Sequence, residues 1–342
     1  MERQTSNDLV RATLTDIIDT GNTYKTGRSK SIHSQREFRE VMGSLSILSN
    51  PRNRIFTSQI DPTIFDPGLA AARFFYMLSG SNKLEPIAFY SEGVRKFSDD
   101  GEYLNGSSYG YRLFGDQGNG DNQVEKLINL LKTQSNSTRG TLAIYSAEDC
   151  GKESKDIPCA LNFTLSPRDE VLHGTLSMRA NAGLRLMPYN IFEFTMIQEW
   201  IANQCNFALG KYYHSVVSMH LREDELKLAP IIADEKIQIP EMDAMPSMPD
   251  DFQNALRSEE ERIMKNIKNW TAGDVIQQIQ TLFQKYDKYW VDLLSVLILR
   301  GFRSTHNPKD LCELLSKLGK VNDGPLLSTA KTTYNRIEQI IV

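Results

Sequence analysis

The hydrophobic period changes once along this chain, and that change constrains the fold more than any single motif. Up to about residue 220, strand-like alternation and helix-like spacing are interleaved; beyond residue 251 only helical spacing remains. Between the two, Pro230, Pro240, Pro246 and Pro249 fall within twenty residues, with Met and acidic residues among them. Proline fixes φ and removes a backbone donor, so 229–250 continues neither a sheet nor a helix. It reads as a linker or an extended segment on the surface. The chain divides into 1–228, a Pro-rich linker 229–250 and a helical extension 251–342.

Within the first part, 7–20 is helical and stopped by Gly21. Residues 22–54 are basic and turn-rich, with a strand at Ser44–Leu48. Phe65–Leu78 is an apolar helix ending at Gly80, 97–121 is loop-like, and Val124–Thr133 is a helix. The period then shortens. Thr141–Ser146, Ala160–Ser166 and Val171–Arg179 read as strands, the last two joined by a turn at Pro167–Glu170. Ile191–Leu209 reads as an amphipathic helix closed by Gly210, and Tyr212–His220 as a further strand. Interleaved sheet and helix make an α+β domain. In the extension, Phe252–Ile267, Ala272–Tyr286, Lys288–Arg300, Pro308–Leu318 and Leu326–Ile341 are helical, with Asp274 and Asp287 suited to helix N-termini.

The formal charge of −4, from 39 basic and 43 acidic residues, argues against a non-specific nucleic-acid binder. The N-terminus lacks the apolar core of a secretory signal. The longest apolar stretch, Tyr289–Leu299, contains Asp292 and is far short of the ~20 residues of a membrane span. Cys150, Cys159, Cys205 and Cys312 form no CxxC pair and are too scattered for a disulfide framework. A reduced, cytoplasmic setting with no membrane partner and no metal site is the expectation.

Chemistry concentrates on a few residues. Asp156-Ile157-Pro158-Cys159 opens a predicted strand. A lone Cys is usually a small buried hydrophobe, but a thiol at a strand start, with a cation such as Arg179 beside it, also suits a nucleophile. Tyr109-Gly110-Tyr111-Arg112 lies in a Gly-rich loop, Arg139 follows Asn136-Ser137-Thr138, and Pro188-Tyr189-Asn190 leads the long helix. Taken singly, Arg179 is a strand-end ion pair, Asn190 a helix cap, His220 a satisfied core histidine and Tyr109 a loop anchor. Taken together, Cys159, Arg179, Asn190 and His220 stand 20, 11 and 30 residues apart. That ordered series, in its strand and helix context, resembles the thymidylate synthase superfamily, which also holds the pyrimidine nucleotide hydroxymethylases. The resemblance covers roughly residues 7–226.

The resemblance implies C5 one-carbon transfer on a pyrimidine nucleoside monophosphate, with 5,10-methylenetetrahydrofolate as cofactor, in a homodimer. Cys159 would be the nucleophile and Tyr109 would order water beside it. Arg179 would support the thiolate and hold phosphate, and Arg139 would reach the same phosphate across the dimer interface, since a guanidinium fork fits phosphate bidentately. Arg36, with Arg28 second, takes the place of an upstream phosphate arginine. Asn190 would read the base edge, because an amide both donates and accepts. His220 would bind a sugar hydroxyl, and Arg222 replaces a sugar-side tyrosine.

Other positions depart from the family pattern. Arg73 replaces the folate-side Glu and cannot relay protons at neutral pH; Glu85 or Glu92 is a candidate substitute. Ala182 replaces a folate-side Asp, Ala180 a phosphate-side Ser and Thr138 an Arg, and residues 81–108 contain no Trp. These changes suggest an altered nucleotide, with a ribonucleotide as one possibility, and point toward hydroxymethylation rather than methylation. The text from Ala71 to Arg112 looks like the branch making 5-hydroxymethylcytidylate, whereas Asn190 favours uracil. A nucleotide-binding or interaction protein that has lost folate turnover is the alternative, and a third is an enzyme using the Cys159 addition without folate. The extension reads as an interaction or dimer-stabilising element, or else as a lid.

Overall fold

The computed structural model describes residues 1–25, 37–115, 122–248, 252–319 and 324–341. Among them is a seven-stranded mixed sheet: β1 (Glu2–Arg3), β2 (Asn22–Lys25), β3 (Glu37–Leu48), β4 (Thr141–Ala143), β5 (Ala160–Arg168), β6 (Val171–Ala182) and β7 (Ala208–Arg222). The order is β1-β3-β7-β6-β5-β4, with β2 paired to β3. β5 and β6 form an antiparallel hairpin, whereas β6 and β7 run parallel. A parallel pair needs a crossover.

Five helices precede that crossover: α1 (Ser6–Thr20), α2 (Pro67–Leu78), α3 (Leu84–Tyr90), α4 (Tyr109–Phe114) and α5 (Gln123–Thr133). The crossover itself is α6 (Met187–Gln204), buried on nearly every side through Ala202. The α+β expectation holds. α6 stops at Gln204 rather than Leu209, because Asn206 turns the chain in the left-handed region (φ 58). Gly210 is therefore no helix stop. It lies inside β7, where a Cβ would come within 2.7 Å of His173 Nδ1 and 2.8 Å of the Leu172 carbonyl. β3 begins at Glu37, not Ser44, since its polar first half pairs with Met219–Arg222 of β7. The expected loop 97–121 contains α4.

The first residues of the Pro-rich segment are helical rather than extended, forming α7 (Ala229–Ala233) with Pro230 in its first turn, where a proline is tolerated; the rest, to residue 248, is an extended strap. Glu199 on α6 anchors it, accepting the Met245 N–H (3.1 Å) while paired with Arg52 (2.7 Å) and with buried Arg54. The strap's own Met242 and Met245 are buried, so it is packed into the core there rather than lying loose on the surface.

Five helices complete the chain: α8 (Phe252–Asn266), α9 (Ala272–Lys285), α10 (Lys288–Thr305), α11 (Pro308–Leu318) and α12 (Pro325–Ile341). Asp274 closes a capping box with Thr271 at α9, and Asp287 accepts the Tyr289 N–H at the start of α10. Asp292, the one charge in the apolar Tyr289–Leu299 stretch, accepts the Leu326 and Leu327 N–H groups (3.0 and 2.9 Å) that open α12. An anion at a helix N-terminus answers both orphan donors and dipole. No helix among the described residues is long and apolar enough to cross a membrane.

These helices share one buried cluster with the sheet domain, running from Leu9 to Ile337. Their tightest link is Asp66, the N-cap of α2. One carboxylate oxygen accepts the Gly68 and Leu69 N–H groups and the Tyr334 hydroxyl (2.5 Å). The other lies 3.2 Å from Arg300 and 3.5 Å from Arg303. Asp66 also donates its own N–H to the Tyr189 hydroxyl (2.8 Å). Asp66→Ala removes a cap, takes the carboxylate from Arg300 and leaves Arg303 only the more distant Glu338 (3.9 Å), so urea unfolding should show a loss of about 2–4 kcal/mol. A loss below ~1 kcal/mol would show that the node is not structural.

Candidate functional site

Cys159 immediately precedes β5, after the rigid Ile157-Pro158 approach. β6 holds it in register: the Arg179 N–H donates to the Cys159 carbonyl (2.8 Å), and Met178 pairs with Ala160. The Arg179 guanidinium is turned back on the same segment, donating to the Pro158 carbonyl (2.9 Å) and the Ile157 carbonyl (3.1 Å). It braces the strand start as well as placing a cation near sulfur. Burial pushes the Cys159 thiol up; Arg179 pulls it down and Asp156 pushes it up further, and burial prevails. The residue as a whole is half-buried rather than sealed in the core.

Tyr109 reaches the same place from α4. That helix crosses α2 so closely that a Cβ on Gly110 would sit 2.1 Å from the Met77 carbonyl. Asp156 pins the loop before it, accepting the Gly106 N–H (2.7 Å) and the Ser107 N–H (2.9 Å). The Tyr109 phenol is buried, faces the Ala160 N–H and feels both Cys159 and Arg73, and burial raises it well above an ordinary phenol. Asn190 sits in the first turn of α6, 3% exposed, with its amide donating to Met178 Sδ (3.6 Å). The structure thus gathers Cys159, Tyr109, Arg179 and Asn190 around the Met178–Ala160 pair.

The remaining predicted residues are elsewhere. His220, on β7 between Ala182 and Glu40, packs edge-on against Phe38 (4.9 Å between ring centres). Arg222 is folded onto Glu225 (3.0 Å) and Asp224 (3.5 Å). Arg139 is exposed next to the edge strand β4, its guanidinium on Gln134 (2.9 Å). Thr141, two residues on, pairs with Thr164, five residues along β5 from Cys159. At ~3.4 Å per residue that is about 17 Å, so Arg139 does not meet Cys159 of its own chain. Arg36 and Arg28 lie outside the described residues.

One pair was missed by sequence reasoning. Arg73 on α2 places Nε on the carboxylate of Glu193 on α6, which is 2% exposed, and its guanidinium stacks over the Tyr189 ring (5.3 Å). Glu85 and Glu92, the expected substitutes for the family carboxylate, both pair with Arg95 and are 71% and 79% exposed. The carboxylate at this site is Glu193. Its signal was the spacing Asn190–Glu193, which puts both on one face of a helix. Two surface cavities beside Ile237–Pro240 include none of these residues.

A sequence model for the family described as Thymidylate synthase matches residues 30–269. A deoxyuridylate hydroxymethyltransferase of Pseudomonas phage M6 is 28% identical over 200 residues, covering 55% of this chain and 56% of that one. A deoxyuridylate hydroxymethyltransferase of Delftia phage PhiW-14 is 28% identical over 187 residues, covering 51% and 50%. A thymidylate synthase of Buchnera aphidicola subsp. Baizongia pistaciae is 29% identical over 107 residues, covering 31% and 40%. The chain spans about half the length of the curated relatives it matches.

The thiol chemistry predicts a pH profile. Only the thiolate alkylates, so iodoacetamide labelling of Cys159, followed by peptide mass, should rise with a midpoint above the ~8.5 of a free cysteine. Exposed Cys150 and Cys312 should react first. Arg179→Ala should move the Cys159 midpoint higher still, and a midpoint below ~8 would contradict the dominance of burial.

Proposed function

The chain belongs to the thymidylate synthase family, and on that premise we propose that it transfers a one-carbon unit to C5 of a pyrimidine nucleoside monophosphate through a bond between Cys159 Sγ and C6. The observation that carries this is a half-buried cysteine gathered with Tyr109, Arg179 and Asn190. C5 of a pyrimidine is a poor nucleophile. When the Cys159 thiolate adds, the S–C6 bond forms, the C5=C6 π bond breaks, and its electron pair passes to an enolate that is nucleophilic at C5. The thiol proton leaves to water in the cleft. C5 then forms a bond to a one-carbon electrophile at the formaldehyde oxidation level, whose carbon–heteroatom π pair passes to the heteroatom. Loss of the C5 proton re-forms C5=C6, breaks S–C6 and expels the thiolate, restoring the ring.

In this reading, Arg179 carries the phosphate, Asn190 donates to and accepts from the base edge, Tyr109 orders water, and His220 meets the sugar. Arg222 works at the sugar end while held by Glu225, and Arg36 adds to the phosphate site. Arg139, too far from its own Cys159, serves the phosphate of the second subunit in a homodimer. The relatives named deoxyuridylate hydroxymethyltransferase support a uracil nucleotide and a hydroxymethyl product. The reading places the enzyme in the cytoplasm.

The thymidylate synthase family is folate-dependent. The pterin-side pattern is not met by the residues here. Ala182 is buried and apolar, the Glu193 carboxylate is engaged by Arg73, and Phe89 and Tyr90 are packed together beneath α10. No step is therefore routed through folate. The same observations favour the second reading, a nucleotide-binding protein without folate turnover.

Cys159→Ala should abolish tritium release from 5-tritiated nucleotide, and unchanged release would sink the proposal. A thermal-shift panel of UMP, dUMP, CMP and dCMP, with and without methylenetetrahydrofolate, reads base, sugar and cofactor together. Stabilisation with no turnover under any condition would establish the second reading. Mixing Cys159→Ala and Arg139→Ala subunits, each inactive alone, should restore about a quarter of wild-type activity, since half the dimers then hold one intact site. No recovery would exclude a shared site.

A further inference from the structure

We propose that Arg73, clamped by Glu193, is the group that recognises the C4 substituent of the base, and that it selects a 4-oxo over a 4-amino pyrimidine. This rests on the Cys159 addition proposed above and goes beyond it to a specificity-determining residue.

Four observations converge. Arg73 uses only Nε on Glu193. Among the described residues, neither Nη group has a protein acceptor, and neither is fully sealed from solvent. The side chain remains 28% exposed although its partner Glu193 is only 2% exposed. Held against buried Glu193 and the Tyr189 ring yet still reachable by solvent, the two Nη groups are placed to meet a ligand.

The neighbours indicate which ligand that is. Glu193 is one turn after Asn190 on α6, so the clamp sets the guanidinium beside the amide proposed to read the base edge. Tyr189, next to Asn190, supports the guanidinium from below at 5.3 Å. Tyr109 lies within electrostatic range of both Cys159 and Arg73, so thiol and guanidinium flank the same phenol. The base, bonded through C6 to Cys159 and read by Asn190, would present its C4 side to Arg73.

The chemistry of a guanidinium then decides the base. It donates from every nitrogen and accepts at none. A C4 carbonyl offers it lone pairs; a C4 amine offers only competing N–H groups. As Cys159 adds to C6, negative charge grows on O4, and a fixed cation there stabilises the enolate more than the ground state. Glu193 is a positioning residue. It holds Nε and leaves the fork directed into the cleft, and it compensates the buried cation.

The alternative is that the pair only bolts α2 to α6. The full-length protein distinguishes the two. The readouts are exchange of tritium from 5-tritiated dUMP and dCMP into water, nucleotide-induced thermal shift and Tm, for wild type, Cys159→Ala, Arg73→Met, Arg73→Lys and the double variant Arg73→Met with Glu193→Met. Wild type should exchange dUMP at least ~100-fold faster than dCMP. Arg73→Met should lower the dUMP rate about 10²–10³-fold, as expected on losing one donor to a developing oxyanion, with a smaller change in nucleotide affinity and reduced discrimination between the bases. Arg73→Lys, which keeps the charge but not the fork, should fall between. The double variant removes both charges and leaves neither orphaned, so its Tm should return toward wild type while its rate stays low. A double variant that regains the rate with the Tm, or an Arg73→Met protein with unchanged base preference, would overturn the proposal. Exchange persisting in Cys159→Ala would instead overturn the underlying addition.

Discussion

Asp66 is the point on which the rest of the structure hangs. A single carboxylate caps α2, takes the Tyr334 hydroxyl from α12, and pairs with Arg300 and Arg303 from α10, while its backbone N–H is tied to Tyr189. α2 carries Arg73, and Tyr189 adjoins Asn190. Besides the shared apolar core, this anion ties the C-terminal helices to α2 and to the start of α6. Gln253 adds a second tie by donating to the Leu78 carbonyl at the far end of α2. A helix held at both ends keeps its side chains in place, which a preformed site requires.

Within that frame the charges are arranged by burial more than by proximity. Arg179 is close enough to lower the Cys159 thiol, yet desolvation outweighs it. The same imbalance keeps Tyr109 protonated. A chain with a net charge of only −4 thus holds a local environment that resists forming an isolated anion at rest. The reaction proposed here creates negative charge on the base, which on that proposal would face Arg73 and Asn190. Arg73 and Glu193 form a pair whose parts lie 120 residues apart in sequence.

That separation explains what was and was not legible beforehand. That Cys159, Arg179 and Asn190 come together was readable because their intervals are set by one hairpin and one crossover helix, while His220 packs on Phe38 instead. The hairpin, the helix and the C-terminal helices with Asp274 and Asp287 caps followed from hydrophobic period and capping chemistry. Glu193 was not legible as a partner, because nothing local in Arg73's sequence points to α6. α3 is only seven residues long, too short for periodicity to declare itself. Gly210 was misread because a glycine ends a helix and permits close strand packing equally well, and only the contact with His173 separates the two. The effect of burial on Cys159 was invisible, since sequence shows neighbouring charges but not the water they displace.

The central claim is that Cys159 is a nucleophile toward a pyrimidine nucleotide. Its most direct measurement is mass spectrometry of the denatured protein after incubation with 5-fluoro-dUMP and methylenetetrahydrofolate, followed by peptide mapping. The account predicts a denaturation-stable mass increase of one nucleotide, with or without the folate, located on the peptide containing Cys159 and absent from Cys159→Ala. An adduct on another cysteine, or stable nucleotide binding with no covalent mass under any condition, would contradict it.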